Sequence, residues 1–321
     1  MPLSPIRYVT REQLDTEKWD RCIREAPNGL IYGYSFYLDT MARHWDALVA
    51  GDYETVMPLT WNQQWGIAYL YQPAFTATLG IFGRSLDEAT AEAFLKAIPK
   101  KFSLIEIDLN SQNQVPRHTA GVISRTNYVL PLDQPYEQLK KKYRDHVRRN
   151  LQKAQAWGCT YQEHLPVEDV LILWKQQRKF SRTMEVKSLD QFYHLCEQLK
   201  QRQQMVACGV YSPKGQLLAG VLFFLSHHRA YYILAGTHPE GKNCGASPML
   251  IDRFIAARAG TPLVLDFEGS DEPGLAFFYS SFGASPESYP ALRMSRLPSW
   301  INNWKRKLFG DGSFKKNSIW R

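Results

Sequence analysis

Hydrophobic and polar positions along the first half of the chain predict a small antiparallel sheet between helices. Two short helical patterns come first. Runs in which apolar and polar residues alternate follow them, separated by turn residues such as Gly51 and Asn62. An alanine-rich segment with acidic residues in its first turn then predicts a helix that leads into an apolar strand. The predicted helices span residues 16–25, 36–44 and 86–98, and the predicted strands span residues 47–49, 55–61, 66–71 and 104–109.

The second half predicts two helices, three antiparallel strands, a helix, a strand, a short helix and a final strand. A long helical pattern precedes them and ends at Gly158, a residue that favours the C-cap position. The first half loosely repeats this order, so we predict a degenerate duplication in which residues 86–109 correspond to residues 246–267. The predicted helices span residues 135–157, 167–180, 189–202, 246–258 and 273–282, and the predicted strands span residues 127–132, 205–211, 217–226, 229–237, 262–267 and 292–294.

These patterns predict an α/β (α+β) protein with two tandem domains, each built on a mixed, mainly antiparallel sheet flanked by helices. A chain of 321 residues suits two domains of about 150 residues each. We place an N-terminal domain at residues 1–133, a linking basic helix at 134–160, a C-terminal domain at 161–297 and a basic aromatic tail at 298–321.

Composition narrows the class of protein. With 44% hydrophobic and 22% charged residues, the chain reads as a soluble globular protein. The N-terminus shows no apolar leader and no uncharged run approaches the ~20 residues of a membrane span, so we expect a cytoplasmic protein. The five cysteines are scattered without a CxxC pair, and the histidines do not converge. We therefore expect reduced thiols and no metal site.

The net charge of +8 is concentrated in two segments. Residues 140–153 hold seven Lys or Arg against Asp145, and residues 293–321 hold eight against Asp311. Each run is typical of a solvated helix face, and the alternative is an anionic partner such as a phosphate-bearing cosubstrate, RNA or a membrane surface. Trp300 and Trp304 lie among the cations of the tail, a pattern found both in membrane-interface anchors and in packed terminal helices.

The most informative segment, residues 235–251, runs from a strand through a glycine-containing turn into an apolar helix. Glycine lets the backbone approach a phosphate closely, and free N–H groups at a helix start bind anions. The turn, residues 239–247, resembles the phosphate loop of the GNAT acyltransferase superfamily, Arg/Gln-x-x-Gly-x-Gly/Ala, with Lys242, Gly245 and Ser247 on the pattern. The alternative is an ordinary strand-to-helix turn that contains a glycine.

A second segment carries the same resemblance. Residues 275–284 resemble the superfamily's signature of alanine, hydrophobic residues, tyrosine and glycine, with Ala276, Phe278, Tyr279, Phe282 and Gly283 in register. One predicted helix and one predicted strand separate the two motifs, as in the superfamily. The sequence therefore predicts a GNAT-type second domain.

The resemblance implies direct attack of an amine on the donor's thioester or ester carbonyl. Backbone N–H groups around Leu234 and Gly236 would hold the carbonyl oxygen, and Tyr279 would be the general acid. Glu268, at the end of a predicted strand, is our candidate base. The alternatives are a core tyrosine and a solvated or helix-capping carboxylate. The residues predicted to bind the donor's phosphates are Lys242, Asn243, Cys244, Gly245, Ala246 and Ser247.

The predicted basic helix carries a further resemblance, to one particular family of acyltransferases. Residues 143–159 resemble the Arg-x-x-Ile-Arg-Lys-Ala-x-x-x-Gly-Val segment of the FemABX family, which has two GNAT-like domains in tandem. Members of that family move an amino acid from aminoacyl-tRNA to an amine of a peptidoglycan precursor. Relatives with the same tandem fold are assigned acyl-CoA-dependent or unknown acyltransferase roles. Staphylococcal members carry a coiled-coil arm, whereas this sequence lacks sustained heptads. The matching positions are Arg148 or Arg149, Asn150, Leu151, Lys153, Ala154 and Gly158.

We therefore predict an N-acyltransferase that moves an acyl group from acyl-CoA, or alternatively from aminoacyl-tRNA, to an amine in the cleft between two domains. A peptidoglycan precursor is a candidate acceptor, tRNA is a candidate partner, and the tail is a candidate peripheral contact with the inner face of the membrane. The first alternative is a GNAT frame without catalysis that binds RNA or an anionic membrane surface. The second is a purely structural tandem scaffold.

Overall fold

The computed structural model describes residues 4–116, 118–177, 185–269 and 271–297. Its contacts divide the chain into two compact units, of which unit 2 is Thr126–Glu287 and unit 1 is the remainder. The break falls between residues 125 and 126, whereas the sequence suggested residue 133, and the segment predicted as a linking helix lies inside unit 2. The predicted tail at 298–321 and the end of the helix predicted at 167–180 lie outside the described residues.

Unit 1 is built on a sheet with one parallel crossover. Its elements are β1 (Ile6–Val9), α1 (Thr16–Glu25), α2 (Ser35–Met41), β2 (His44–Ala50), β3 (Thr55–Gln64), β4 (Ile67–Leu70), β5 (Phe82–Gly83), α3 (Glu88–Ala97), β6 (Phe102–Asp108) and β13 (Ser285–Ser295), whose residues from 288 onward belong to this unit. The strand order is β1-β2-β3-β4-β6-β13, with β5 on β3. The pair β4–β6 is parallel and the other pairs are antiparallel.

Local sequence explains why the helices of unit 1 begin where they do. The side chain of Asp15 accepts a hydrogen bond from the Lys18 N–H at the start of α1, and Asp87 does the same for the Thr90 N–H at the start of α3. In α1 the buried residues are Trp19, Cys22 and Ile23, at the spacing of one helix face. Burial of such a face is what fixes each helix on the sheet.

Unit 2 repeats the pattern of three antiparallel strands, a helix and a parallel strand. Its sheet order is β7-β12-β11-β10-β9-β8, in which β11–β12 is the parallel pair. The predicted fold class, with tandem, mixed and mainly antiparallel sheets flanked by helices, is confirmed. The elements are β7 (Val122–Pro131), whose residues from 126 onward belong to this unit, α4 (Tyr136–Lys141), α5 (Asp145–Ala156), β8 (Thr160–Glu163), α6 (Val167–Gln177), α7 (Glu185–Gln201), β9 (Met205–Tyr211), β10 (Leu217–Ser226), β11 (Arg229–Thr237), α8 (Pro239–Cys244), α9 (Ala246–Arg258), β12 (Val264–Asp266) and α10 (Pro273–Ser280).

Helices α6 and α9 cover opposite faces of the unit 2 sheet. Gly220 of β10 packs against the side chain of Val170 in α6. Three residues further along β10, Phe223 stacks on Phe254 of α9 with ring centroids 3.7 Å apart. Because side chains alternate along a strand, positions 220 and 223 face opposite sides of the sheet.

The single helix predicted at residues 135–157 is wrong, because the structure has two helices there, α4 and α5. The break is made by tertiary contacts that the helical pattern does not reveal. The ring of Tyr143 packs edge-on against Phe282 at 5.4 Å, and the N–H of Arg144 donates to the Ser281 carbonyl oxygen at 3.0 Å. An N–H that is bound outside the helix is not available for an intrahelical bond.

Candidate active site

In unit 2 the parallel strands β11 and β12 pair over three residues and then separate. Arg229 pairs with Val264, and Tyr231 pairs with Asp266, where β12 ends. Beyond this point β11 continues to Thr237, and β10 is its only strand partner within the described residues. Six residues of extended chain cover about 20 Å. Within the described residues, one edge of β11 is therefore open in the sense that no strand pairs with it over that length.

A β-bulge in β11 lies where the two strands separate. Leu222 of β10 pairs with Leu234, but the next residue of β10, Phe223, pairs with Tyr232, so Ile233 is the extra residue. A bulge bends its strand and increases the local twist, and bulges are common beside active sites. The bulge at Ile233 thus lies two residues beyond Tyr231, the last residue of β11 that pairs with β12.

Leu234 and Gly236, predicted to hold the donor's carbonyl oxygen, lie on this open stretch. A Cβ atom on Gly236 would lie 2.6 Å from the backbone nitrogen of Trp174 in α6, so the close approach of that helix requires a glycine here. At the end of the strand, the side-chain amide of Gln177 donates to the Thr237 carbonyl oxygen. This last contact could not be predicted from the sequence, because it depends on how α6 lies across the sheet.

Tyr279, the predicted general acid, is buried in an aromatic cluster beside the gap. Its ring stacks on Phe267 at 4.5 Å and meets Tyr232 of β11 edge-on at 6.1 Å. Burial, followed by Tyr232 and the carboxylates of Glu268 and Glu272, raises the pKa of Tyr279 well above its usual value of 10.0. A tyrosine is protonated at neutral pH even at its usual pKa, so the hydroxyl carries a proton here as it would elsewhere.

Glu268, the predicted base, follows the end of β12 by two residues and is 5% exposed. Its backbone lies in the left-handed region at φ +65, and its N–H donates to Oδ1 of Asp266 at 2.9 Å. Phe267, whose ring stacks on that of Tyr279, directly precedes Glu268 in the chain. The predicted acid and the residue before the predicted base are therefore in contact.

The turn predicted as the phosphate cradle, residues 239–247, is not a loop, because most of it is helix α8. Pro239 occupies the first turn of α8, and Nδ1 of His238 accepts a hydrogen bond from the Glu240 N–H at 3.3 Å, which caps the helix. Gly245, at φ +81, ends α8 and begins α9. The glycine that suggested a loop is a helix cap.

Packing also explains Gly245 without a ligand. A Cβ atom at this position would lie 2.5 Å from the carbonyl oxygen of Asn150 in α5. The space that the glycine leaves open is thus filled by the protein itself. Any contact with a phosphate must come from the N–H groups at the start of α9 or from neighbouring side chains.

The other residues of the predicted cradle divide into buried and exposed ones. Cys244 is buried, and its Sγ lies 3.9 Å from Sγ of Cys159, so its side chain faces the interior. Ala246 is also buried. The hydroxyl of Ser247 lies 2.7 Å from that of Thr237, which ties the start of α9 to the end of β11. The side chains that remain exposed for a ligand are those of Lys242 and Asn243.

All of these parts lie at one edge of the sheet. Strands β11 and β12 are parallel, so their carboxyl ends meet at the same edge, where α9 also begins. Over the described ranges, no three or more His, Cys, Asp and Glu side chains cluster as metal ligands would. No helix in those ranges has the length and apolarity of a membrane span.

One family model matches the chain. Residues 141–273 match the model described as acetyltransferase (GNAT) domain, which covers the open edge of β11, helices α8 and α9, and Glu268. No curated protein matches the chain by sequence. The match confirms the predicted resemblance to GNAT acyltransferases.

Solved structures with the same fold extend over nearly the whole chain. FemX has a TM-score of 0.63 at 13% identity, over 92% of this chain and 98% of FemX. L-PGS from Bacillus licheniformis has a TM-score of 0.55 at 13% identity, over 94% of this chain and 98% of that one. The C-terminal domain of a putative lysylphosphatidylglycerol synthetase from Agrobacterium fabrum has a TM-score of 0.52 at 11% identity, over 93% and 97%. These likenesses show a shared fold.

Proposed function

We propose that this chain is an N-acyltransferase whose site is the gap between β11 and β12, because residues 141–273 match the acetyltransferase (GNAT) domain model. The observation that carries the proposal is the position of Glu268 and Tyr279. Both lie where the strands separate, Glu268 as a buried carboxylate just after β12 and Tyr279 as a buried phenol packed against Tyr232 of β11. A base and an acid beside an open strand edge are what direct acyl transfer to an amine requires.

In the proposed reaction the acceptor amine attacks the acyl carbonyl carbon of the donor. Glu268 takes a proton from the amine as the nitrogen–carbon bond forms. Backbone N–H groups around Leu234 and Gly236 stabilise the charge that develops on the carbonyl oxygen. When the bond to the leaving sulfur or oxygen breaks, the Tyr279 hydroxyl donates a proton to the leaving group. An amide and a free thiol or hydroxyl result.

We propose acyl-CoA as the donor, with aminoacyl-tRNA as the alternative, because both carry phosphates that suit an exposed cation beside a helix N-terminus. Lys242 and Asn243 would contact these phosphates with their side chains, and Ala246 and Ser247 with their backbone N–H groups. For the acceptor we propose an amine-bearing cell-wall precursor, as the resemblance to FemABX implies. Such an acceptor would bring the enzyme to the inner face of the membrane.

Kinetics of three variants test the roles. Glu268→Gln and Tyr279→Phe should each lower kcat by about 10²-fold or more, with donor KM nearly unchanged, because general acid–base groups act mainly in the transition state. Lys242→Ala should raise the donor KM and leave kcat nearly unchanged. The opposite split between kcat and KM would refute the assignment. Calorimetric titration with acetyl-CoA, CoA and aminoacyl-tRNA at two salt concentrations identifies the donor.

A second candidate function is a GNAT frame that binds RNA or an anionic membrane surface without catalysis. The observation in its favour is a cationic surface on α4, α5 and the segment between them, beside the half-exposed ring of Phe277. This function predicts strongly salt-dependent binding to RNA or anionic vesicles and no affinity for acyl-CoA. The exposed cations are Lys141, Lys142, Arg144, Arg148, Arg149 and Lys153.

A further inference from the structure

A buried hydrogen-bond network fixes the turn that carries Glu268. At its centre is Asp266, the last residue of β12, which is 5% exposed. Its Oδ1 accepts hydrogen bonds from the Glu268 N–H at 2.9 Å and from Nδ2 of Asn127 at 2.8 Å. Its Oδ2 accepts one from Nη1 of Arg229 at 2.6 Å. Both oxygens of this carboxylate therefore have partners.

Asn127, on β7, binds the turn at two points. Besides donating to Asp266, its Oδ1 accepts a hydrogen bond from the Gly269 N–H at 2.5 Å and another from the Tyr128 N–H at 2.7 Å. A carboxamide combines the donor that a carboxylate needs with the acceptor that an N–H needs. One side chain thus links the start and the end of the turn formed by residues 266–269.

The turn requires such support because its backbone is strained. Glu268 has φ +65 and Gly269 has φ +84. The left-handed conformation is unfavourable for a residue with a Cβ atom, and it persists where surrounding bonds hold it. Without the two bonds to Asn127, we expect the turn to relax toward extended backbone. The Glu268 carboxylate would then move away from Tyr279.

Arg229 closes the other end of the network with ion pairs. Besides the bond to Asp266, its Nη2 donates to Oε1 of Glu287 at 3.2 Å. Burial opposes the charge of the guanidinium, but the two carboxylates outweigh it, so the pKa of Arg229 is raised. The Asp266 carboxylate is thus bound by Arg229 on one side and by Asn127 on the other. Asn127 in turn binds the backbone N–H of Gly269, the residue after Glu268.

We propose that Asn127 is a positioning residue for acyl transfer, which holds the Glu268 turn so that the carboxylate faces the attacking amine. This inference rests on the proposed function, in which Glu268 is the base. Asn127 acts through Glu268 and does not itself touch the substrate.

The test compares Asn127→Ala with a matched control, Asn113→Ala. Asn113 is 3% exposed and makes the same kind of bonds in unit 1, accepting from the Ile81 N–H at 2.8 Å and donating to the Ile81 carbonyl oxygen at 2.9 Å. With acetyl-CoA and a primary amine, N127A should lose at least about tenfold in kcat and change the acidic limb of the pH profile, while donor KM stays nearly constant. N113A should keep both kcat and the pH profile.

Asn127→Asp separates the two halves of the interaction. It retains the acceptor for the Gly269 N–H, but it loses the donor to Asp266 and adds a negative charge beside it. We expect its kcat to fall at least as far as that of N127A. Wild-type kcat and pH profile in N127A would overturn the proposal, and so would equal losses in N127A and N113A.

Hydrogen exchange distinguishes failure of this inference from failure of the proposed function. The amides of Glu268 and Gly269 should exchange faster in N127A than in the wild-type chain, and N113A should leave them unchanged. If the wild-type chain transfers no acyl group, the proposed function fails, and exchange still decides whether Asn127 holds the turn. Unchanged exchange in N127A would show that it does not.

Discussion

Replacement of Gly245 by alanine tests how the corner between α8 and α9 is built. The N–H of Gly245 donates to the Gly241 carbonyl oxygen, and φ is +81. A Cβ atom here would lie 2.5 Å from the carbonyl oxygen of Asn150 and 3.1 Å from its carbonyl carbon. Because both neighbours are backbone atoms, no side-chain rotation can relieve the contact. Either α5 or the corner must move.

The expected loss of stability has two parts. The left-handed backbone costs a residue with a Cβ atom about 1–2 kcal/mol. Forcing an extra carbon into a packed region adds about 1–3 kcal/mol. Gly245→Ala should therefore lower the free energy of unfolding by about 2–5 kcal/mol.

Gly260 provides a matched control. Its φ is +78, but no atom lies within 4 Å of the position that its Cβ would occupy. Gly260→Ala should therefore show the backbone cost alone, about 1–2 kcal/mol. The difference between the two variants isolates the contact of the corner with Asn150.

Urea unfolding followed by tryptophan fluorescence measures both variants against the wild-type chain. Linear extrapolation gives the free energy of unfolding, and similar slopes would show that the unfolded states are comparable. Equal losses in the two variants would refute the argument, because they would mean that α5 does not press on the corner. Calorimetry with CoA, at a temperature where all three proteins are folded, then shows whether moving the corner also weakens donor binding.

Two further predictions concern charge and thiols. Arg229→Gln should lower the free energy of unfolding by about 3–5 kcal/mol, because it leaves a buried carboxylate without its ion-pair partner. Arg84→Gln, which removes an exposed ion pair of 2.7 Å with Glu25, should change the free energy of unfolding by less than about 1 kcal/mol. Similar losses for the two variants in urea unfolding would contradict the prediction. The five cysteines are buried and free, so a thiol reagent at pH 8 should react with them slowly in the folded protein and with all five in urea; rapid reaction without urea would contradict their burial. Burial raises the pKa of the thiols to about 11 for Cys22, to about 11 for Cys159 and to about 12 for Cys208.

Local patterns predicted much of unit 2. The strands β9, β10 and β11 and the helix α9 begin and end at the predicted residues, since turn residues bound each apolar run. Helix α8 was missed because its proline and its C-terminal glycine also occur in turns. Strand β8 was missed because its sequence, Thr-Tyr-Gln-Glu, has no apolar run. Its backbone hydrogen bonds to β9 hold it as a strand without an apolar run.

The candidate acid and the candidate base could be proposed from the sequence because each carries a local signal. Tyr279 lies in a motif, and Glu268 ends a predicted strand. Asn127 gave no such signal, since its partner Asp266 is 139 residues away in sequence. Only the antiparallel register of β7 on β12, in which Val129 pairs with Asp266, brings the two together. A long-range register of this kind is not encoded in either strand alone.

The glycine of the predicted phosphate motif is a residue for which packing alone is a sufficient reason. Gly245 is required by its left-handed backbone and by the carbonyl oxygen of Asn150, whether or not a donor binds. A loss of activity on its replacement would therefore not identify a phosphate site. Lys242 and Asn243 are exposed, so their side chains can be removed with little effect on packing. Donor binding is thus best tested at these two residues, and stability at Gly245.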